Sequence, residues 1–165
     1  MAREITGSID GARLRVGIVV SQFNEAITSR LVGGAREALS RHSVREDAVT
    51  IVTVPGALEL PQAAQQMAES GDWDALVTLG CVIRGETTHY DLVAAECARG
   101  IADVARTFTV AIAFGVLTTE NTDQAMARSG GAMGNRGFDA VVAAIKMANL
   151  RLQIKEASAK EEMSR

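Results

Sequence analysis

Apolar and polar positions along this chain switch repeatedly between two periods. Leu14 to Val20 (LRVGIVV) is a short apolar run ending in polar Ser21-Gln22, and it predicts a strand. From Asn24 to His42 the period lengthens. Ile27, Leu31, Ala35, Ala38 and Leu39 fall on one helical face, and Gly33-Gly34 within it suggests close packing. Val49 to Val54 (VTIVTV) is β-branched and stops at Pro55-Gly56. Leu58 to Ser70 reads as a helix with Pro61 in its first turn, where a missing N–H costs nothing, and with Gly71 just past its end. Ala75 to Ile83 is a third strand. Thr88 to Phe108 is helical, with Leu92, Ile101, Val104, Ala105 and Phe108 as its expected core stripe. Thr109 to Leu117 is a fourth strand, and Asn121 to Arg128 a short helix in which Asn121 and Gln124 have the spacing of a capping box. Phe138, Val141, Val142, Ile145 and Leu152 mark a last long helix. Its tail, 155–165 (KEASAKEEMSR), lacks an apolar stripe and is expected to project into solvent or fray.

Continuous apolar strands separated by helices imply a parallel sheet covered on both faces. Four such units predict a three-layer α/β/α sandwich of flavodoxin-like type, with one four-stranded parallel sheet in a single domain spanning 1–165. The first twelve residues form an arm with no helical pattern. It contains Ile5, Thr6 and Ile9 and could add as a strand to a neighbour's sheet, since bare strand edges are usually covered.

Composition narrows the partners. The chain is 47% hydrophobic but only 4% aromatic, so its core must be aliphatic. A net charge of −3, with no long run of like charges, argues against nucleic-acid or acidic-membrane partners. Cys81 and Cys97 read as small buried hydrophobes of a reducing compartment rather than a disulfide. The N-terminal MAREITGSID has no apolar core of a secretion signal, and no apolar stretch is long enough to cross a membrane. A cytoplasmic protein is expected.

In open parallel sheets, ligands bind beyond the carboxyl ends of the strands. Four such ends should share a rim here: Ser21 to Asn24, Pro55 to Glu59, Arg84 to His89 and Thr118 to Asn121. Gly85 to His89 is a glycine turn leading into a helix, where unpaired N–H groups and the helix dipole suit an anion, most simply a phosphate. On spacing alone a plain helix cap by Thr87 or Thr88 is the favoured reading, and the two can both hold. His89, in the first helical turn, is suited to accept a proton, because an added cation is disfavoured there. It could also be an ordinary surface histidine. Phe23 could stack on a flat heterocycle or cover the first helix. Glu59 could accept hydrogen bonds from ring N–H groups or ligand hydroxyls. Arg84 reads as a salt-bridge residue. Arg128 suits a helix C-terminus and could also fork onto a phosphate. Gly134 to Gly137 follows no strand directly and is not a dinucleotide fingerprint.

Five stretches together resemble the 6,7-dimethyl-8-ribityllumazine synthase family of riboflavin biosynthesis: VSQFN (20–24), VPGALELP (54–61), LGCVIRGETTHYD (79–91), FGVLTTEN (114–121) and GNRGFDA (134–140). The third is long and specific. The resemblance implies condensation of 5-amino-6-(D-ribitylamino)uracil with 3,4-dihydroxy-2-butanone 4-phosphate, using no metal or cofactor. It implies that Phe23 stacks on the pyrimidine. Ala57, Leu58, Glu59, Cys81, Val82 and Ile83 would hold the ring and ribityl chain, Glu86 and Thr87 would supply the phosphate turn, and His89 would shuttle protons. Phe114 and Arg128 would come from a neighbouring subunit, Arg128 onto phosphate. Leu58 stands where the family often has phenylalanine, and Arg136 where lysine is usual.

The resemblance also implies homo-oligomers, pentamers with each site between adjacent subunits, and in some members a shell of sixty. The resemblance implies the shell in particular, since shell-forming members keep the link between the last two helices short, as Ser129 to Gly137 is here; the many alanines from Ala94 to Ala105 suit close packing about an axis. A non-catalytic flavin- or lumazine-binding module is the alternative. It is weakened by the absence of glycine from SQFNEA, where flavodoxins hold phosphate. A receiver domain would need acidic residues where Ser21-Gln22 and Ile83-Arg84 stand.

Overall fold

The computed structural model describes residues 1–164. Its elements are β1 (Val16–Ser21), α1 (Glu25–Arg41), β2 (Val49–Val54), α2 (Leu60–Ser70), β3 (Ala75–Ile83), α3 (His89–Thr107), β4 (Ala111–Thr119) and α4 (Thr122–Arg128). A small hairpin of β5 (Ser129–Gly131) and β6 (Gly134–Asn135) precedes the final helix α5 (Arg136–Met163). The four main strands form an all-parallel sheet in the order β2-β1-β3-β4. This is the flavodoxin-like α/β arrangement expected.

The central strands β1 and β3 are buried on both faces because helices cover both, while the edge strands β2 and β4 are partly exposed. Alternate side chains of β1 enter two separate cores. Val16, Ile18 and Val20 join Leu31 of α1 and Val141 and Ile145 of α5, while Val19 joins Leu60 of α2 and Cys97 and Ile101 of α3. Two glycines set the approach of α1 and α5. A side chain on Gly137 would collide with the Leu31 carbonyl, and one on Gly34 with the Asn135 side chain. Gly33 faces open space, so only the second glycine of that pair serves packing.

Local signals explain most boundaries. Gly71 ends α2 in the left-handed conformation, φ 72°. Asn121 caps α4, its Oδ1 accepting from Gln124 N at 2.9 Å. The Gln124 side chain reaches back to Glu120 N, one residue short of a reciprocal box. Ala57–Glu59 forms a 3₁₀ turn ahead of α2. The fourth strand lies two residues later than its hydropathy implies. The ladder with β3 pairs Ala75 with Ala111 and Ile83 with Thr119, and so carries polar Thr118 and Thr119 inside the strand.

Two expectations are corrected. Leu92 and Ala105 are exposed, Leu92 at 65%. The inward stripe of α3 is Tyr90, Val93, Cys97, Ile101 and Val104, because the first turn of α3 leans over the rim and sets the phase. The tail is helical to Met163, with Ala157 buried against the arm and Arg3 paired with Glu161 at 3.6 Å. Arg165 lies outside the described residues. The arm itself runs along α5 of its own chain: Asn149 Nδ2 donates to the Ser8 and Asp10 carbonyls at 2.8 and 2.9 Å. No helix is long and apolar enough to cross a membrane among the described residues.

Candidate active site

The chain order reverses between β1 and β3, and a pocket of about 510 Å³ opens where their carboxyl ends diverge. Three segments wall it: Phe23-Asn24 after β1, Pro55 to Glu59 after β2, and Cys81 to Ile83 leading to Gly85, Thr87 and His89. Tyr90 and Val93 of α3 close one side.

The first wall depends on a backbone feature. Asn24 adopts φ 62°, ψ 47°, a left-handed conformation that asparagine tolerates better than most residues, and this turns the chain sharply from β1 into α1. Its Nδ2 donates to the Cys81 carbonyl at 2.9 Å, tying two strand ends together. Phe23, thrown outward by that turn, is 70% exposed at the pocket mouth and so is no lid over α1. In the second wall Gly56 leaves room for the Glu59 carboxylate, since a side chain there would come within 3.0 Å of Glu59 Oε2. Leu58 is 52% exposed beside it.

The third wall is a turn rich in unpaired donors. Thr88, the N-cap of α3, makes no side-chain cap bond, and Thr87 Oγ1 only reaches His89 N at 3.4 Å. Among the described residues the N–H groups of Gly85, Glu86, Thr87 and Thr88 have no acceptor. The capping interpretation therefore fails for Thr88 and is weak for Thr87. What remains is a row of N–H groups at the positive end of a 19-residue helix. His89 is exposed at its edge. Arg84 is the salt-bridge residue its sequence suggested, paired with Asp91 and Glu120. Desolvation works against its charge, but those two carboxylates outweigh it and hold the guanidinium protonated. Cys81 is buried beneath the pocket, and that burial pushes its thiol up to about 11.

The structure gathers Phe23, Ala57, Leu58, Glu59, Cys81, Val82, Ile83, Thr87 and His89 around one pocket. It does not bring in Glu86, Phe114 or Arg128. Glu86 is exposed on the turn but does not line the cavity. Phe114 is 45% exposed on β4, beside Arg136 and Met147 of α5. Arg128 Nη1 donates to the Gln124 carbonyl at 3.1 Å within α4. Sequence reasoning missed Asn24, Tyr90 and Val93. The preference of asparagine for left-handed backbone could have found the first, and the correct phase of α3 the other two. Among the described residues no group of His, Cys, Asp and Glu side chains is placed to hold a metal ion.

A doubly covered parallel sheet with a pocket at its switch point is the architecture of an α/β protein that takes a small molecule at its strand ends. The model of the 6,7-dimethyl-8-ribityllumazine synthase family matches residues 13–151, which takes in every element from β1 to the middle of α5. The chain belongs to that family, transferases of riboflavin biosynthesis.

Proposed function

We propose that this chain condenses 5-amino-6-(D-ribitylamino)uracil with 3,4-dihydroxy-2-butanone 4-phosphate to give 6,7-dimethyl-8-ribityllumazine, phosphate and water. The observation that carries the reading is the pairing, in one pocket, of an exposed aromatic at the mouth with an unpaired N–H turn beside a histidine. The two substrates make matching demands. One is a flat heterocycle bearing a polyol; the other carries an anion that must be held and then expelled.

In this reading Phe23 stacks on the pyrimidine and Glu59 accepts from ring N–H groups or ribityl hydroxyls. Carbonyl and N–H groups of Ala57, Leu58, Cys81, Val82 and Ile83 line the rest. The turn through Glu86 and Thr87 holds the phosphate. His89 moves protons during phosphate loss and Schiff-base formation, a contribution of typically ~10²–10⁴-fold. Bringing two substrates together in one cavity supplies a further gain through orientation. The ring then closes with loss of water.

Phe114 and Arg128 complete the site from a neighbouring subunit, with Arg128 on the phosphate. Exposed Leu92, Ala95, Ala98, Ala102 and Ala105 on α3 offer a smooth face for packing about a rotation axis. The short β5–β6 link favours a shell of sixty over a free pentamer.

Purified protein mixed with both substrates should develop lumazine absorbance. A bound yellow chromophore without turnover would replace the enzyme reading by a binding module. Light scattering at neutral pH with phosphate tests the assembly: a sole species of pentamer mass removes the shell, and an active monomer removes the shared site as well.

A further inference from the structure

Arg84 is the first residue past β3, between the pocket floor and the turn that opens α3. Its guanidinium reaches three places. Nε donates to Glu120 Oε2 at 2.8 Å, Nη1 donates to Asp91 Oδ1 and Oδ2 at 3.1 and 3.4 Å, and Cζ stands 4.3 Å from the centre of the Tyr90 ring. Its backbone N–H donates to the Thr119 carbonyl at 2.8 Å. Among the described residues, the other ion pairs join near neighbours in sequence or tie the arm to the tail. Arg84 joins separate elements of the rim.

The two ends of this brace differ. Glu120 sits on well-fixed chain, because the Gln124 side chain accepts from its N–H and Asn121 caps α4 directly after it. Asp91 and Tyr90 sit on the first turn of α3, which has no cap bond from Thr88 and follows an exposed glycine with open space around it. Ion pairs as exposed as these add little to stability. A planar fork shared between two carboxylates and stacked on a ring does fix direction, which a lysine cannot do.

We propose that Arg84 is a positioning residue: it holds the turn 85–88, with His89 and the pocket wall at Tyr90, at a set distance from the rim at Glu120. This rests on the reading of the turn and His89 given above. Steady-state kinetics of the assembled protein, varying each substrate, test it. Arg84→Met should lower kcat by about 10- to 100-fold, the scale of a small misplacement of reacting groups. It should raise KM for the phosphate-bearing substrate and leave KM for the pyrimidine unchanged. Arg84→Lys should stay impaired. Glu120→Gln should cost less, and should add nothing in the Arg84→Met background, because that carboxylate acts through the fork. Unchanged kcat, equal loss toward both substrates, full rescue by lysine or additive losses would overturn the proposal. Should Arg84→Met fail to fold, Glu120→Gln and Asp91→Asn must show the same split between the substrates, or the proposal falls. A wild-type chain that forms no lumazine, or His89→Ala with undiminished turnover, overturns instead the reading on which it rests.

Discussion

The rim above β1, β2 and β3 and the flank of β4 both carry recognisable site residues, yet the first gathers nine of them around one pocket, while the hollow at the second holds Phe114 alone. Phe23, Glu59, Thr87 and His89 converge on one pocket, whereas Phe114 faces outward against α5 and Arg128 bonds within its own helix. The first set is close because strand ends of a parallel sheet share an edge. The second is divided between the middle of the edge strand β4, where Phe114 lies beside α5, and the end of α4, and neither place reaches the rim pocket. The contrast teaches that a residue can be plain in a motif and still lack a partner in its own chain. On the proposed function, one half of the site is folded and the other half is offered to a second copy.

The strongest way to break that contrast is His89→Ala, which should slow turnover by about one to three powers of ten while substrate positioning survives. Normal turnover would empty the pocket of its chemical role. Next in size, Arg128→Ala should weaken the phosphate-bearing substrate by about 1.5–3 kcal/mol, the worth of a charge-assisted contact, and leave the pyrimidine nearly untouched. Mixed oligomers sharpen this further. Chains carrying only His89→Ala, assembled with chains carrying only Arg128→Ala, should regain activity, because some sites then draw an intact residue from each. No recovery on mixing would place both residues in one chain's site. Phe23→Ala should weaken the pyrimidine by about 0.5–1.5 kcal/mol beyond its lost area, and Phe23→Trp should be tolerated; calorimetry separates the two.

A pH titration probes the two cores beneath the complete half, one holding Cys81 and the other Cys97. Burial raises Cys81 and Cys97 from the ordinary 9.0 to about 11, so between these values the folded chain keeps protons that the unfolded chain releases. Their contribution to stability is full below about pH 9 and is lost as the pH rises toward 11. Urea midpoints across that range should fall more steeply for the wild type than for a Cys81→Ala/Cys97→Ala variant. Parallel slopes would mean that water reaches the thiols.

Much of this was legible in the sequence. Apolar runs bounded by Pro55-Gly56, Pro61, Gly71 and Asn121 set the alternation of strands and helices, since each of these residues acts through its own backbone or cap. The end of β4 was not legible, because Thr118 and Thr119 are held by pairing with Val82 and Ile83 rather than by hydropathy. The phase of α3 was misread at Leu92, because an apolar side chain looks the same whether its own sheet or another surface is to cover it. The tail's order was hidden because its partner, Arg3, lies at the other end of the chain. In the site, Asn24 escaped notice because its role lies in a positive φ and a bond to a strand far along the chain. Glu86 and Phe114 were recognisable as motif residues, and Arg128 from the resemblance, but in the single chain none of the three lines the pocket.

The strand order has a consequence for how the molecule comes into being. β1 pairs with β2 and then with β3, and β4 adds to β3, so each new strand joins an edge that already exists. A chain leaving the ribosome can lay down its sheet in the order of synthesis, outward from β1, with no strand waiting to be threaded between two others. The pocket walls after β1, β2 and β3 are then in place before β4 is made. Until β4 arrives, the long apolar edge of β3 stands open, and that interval is when a nascent chain is most exposed to pairing with the wrong neighbour.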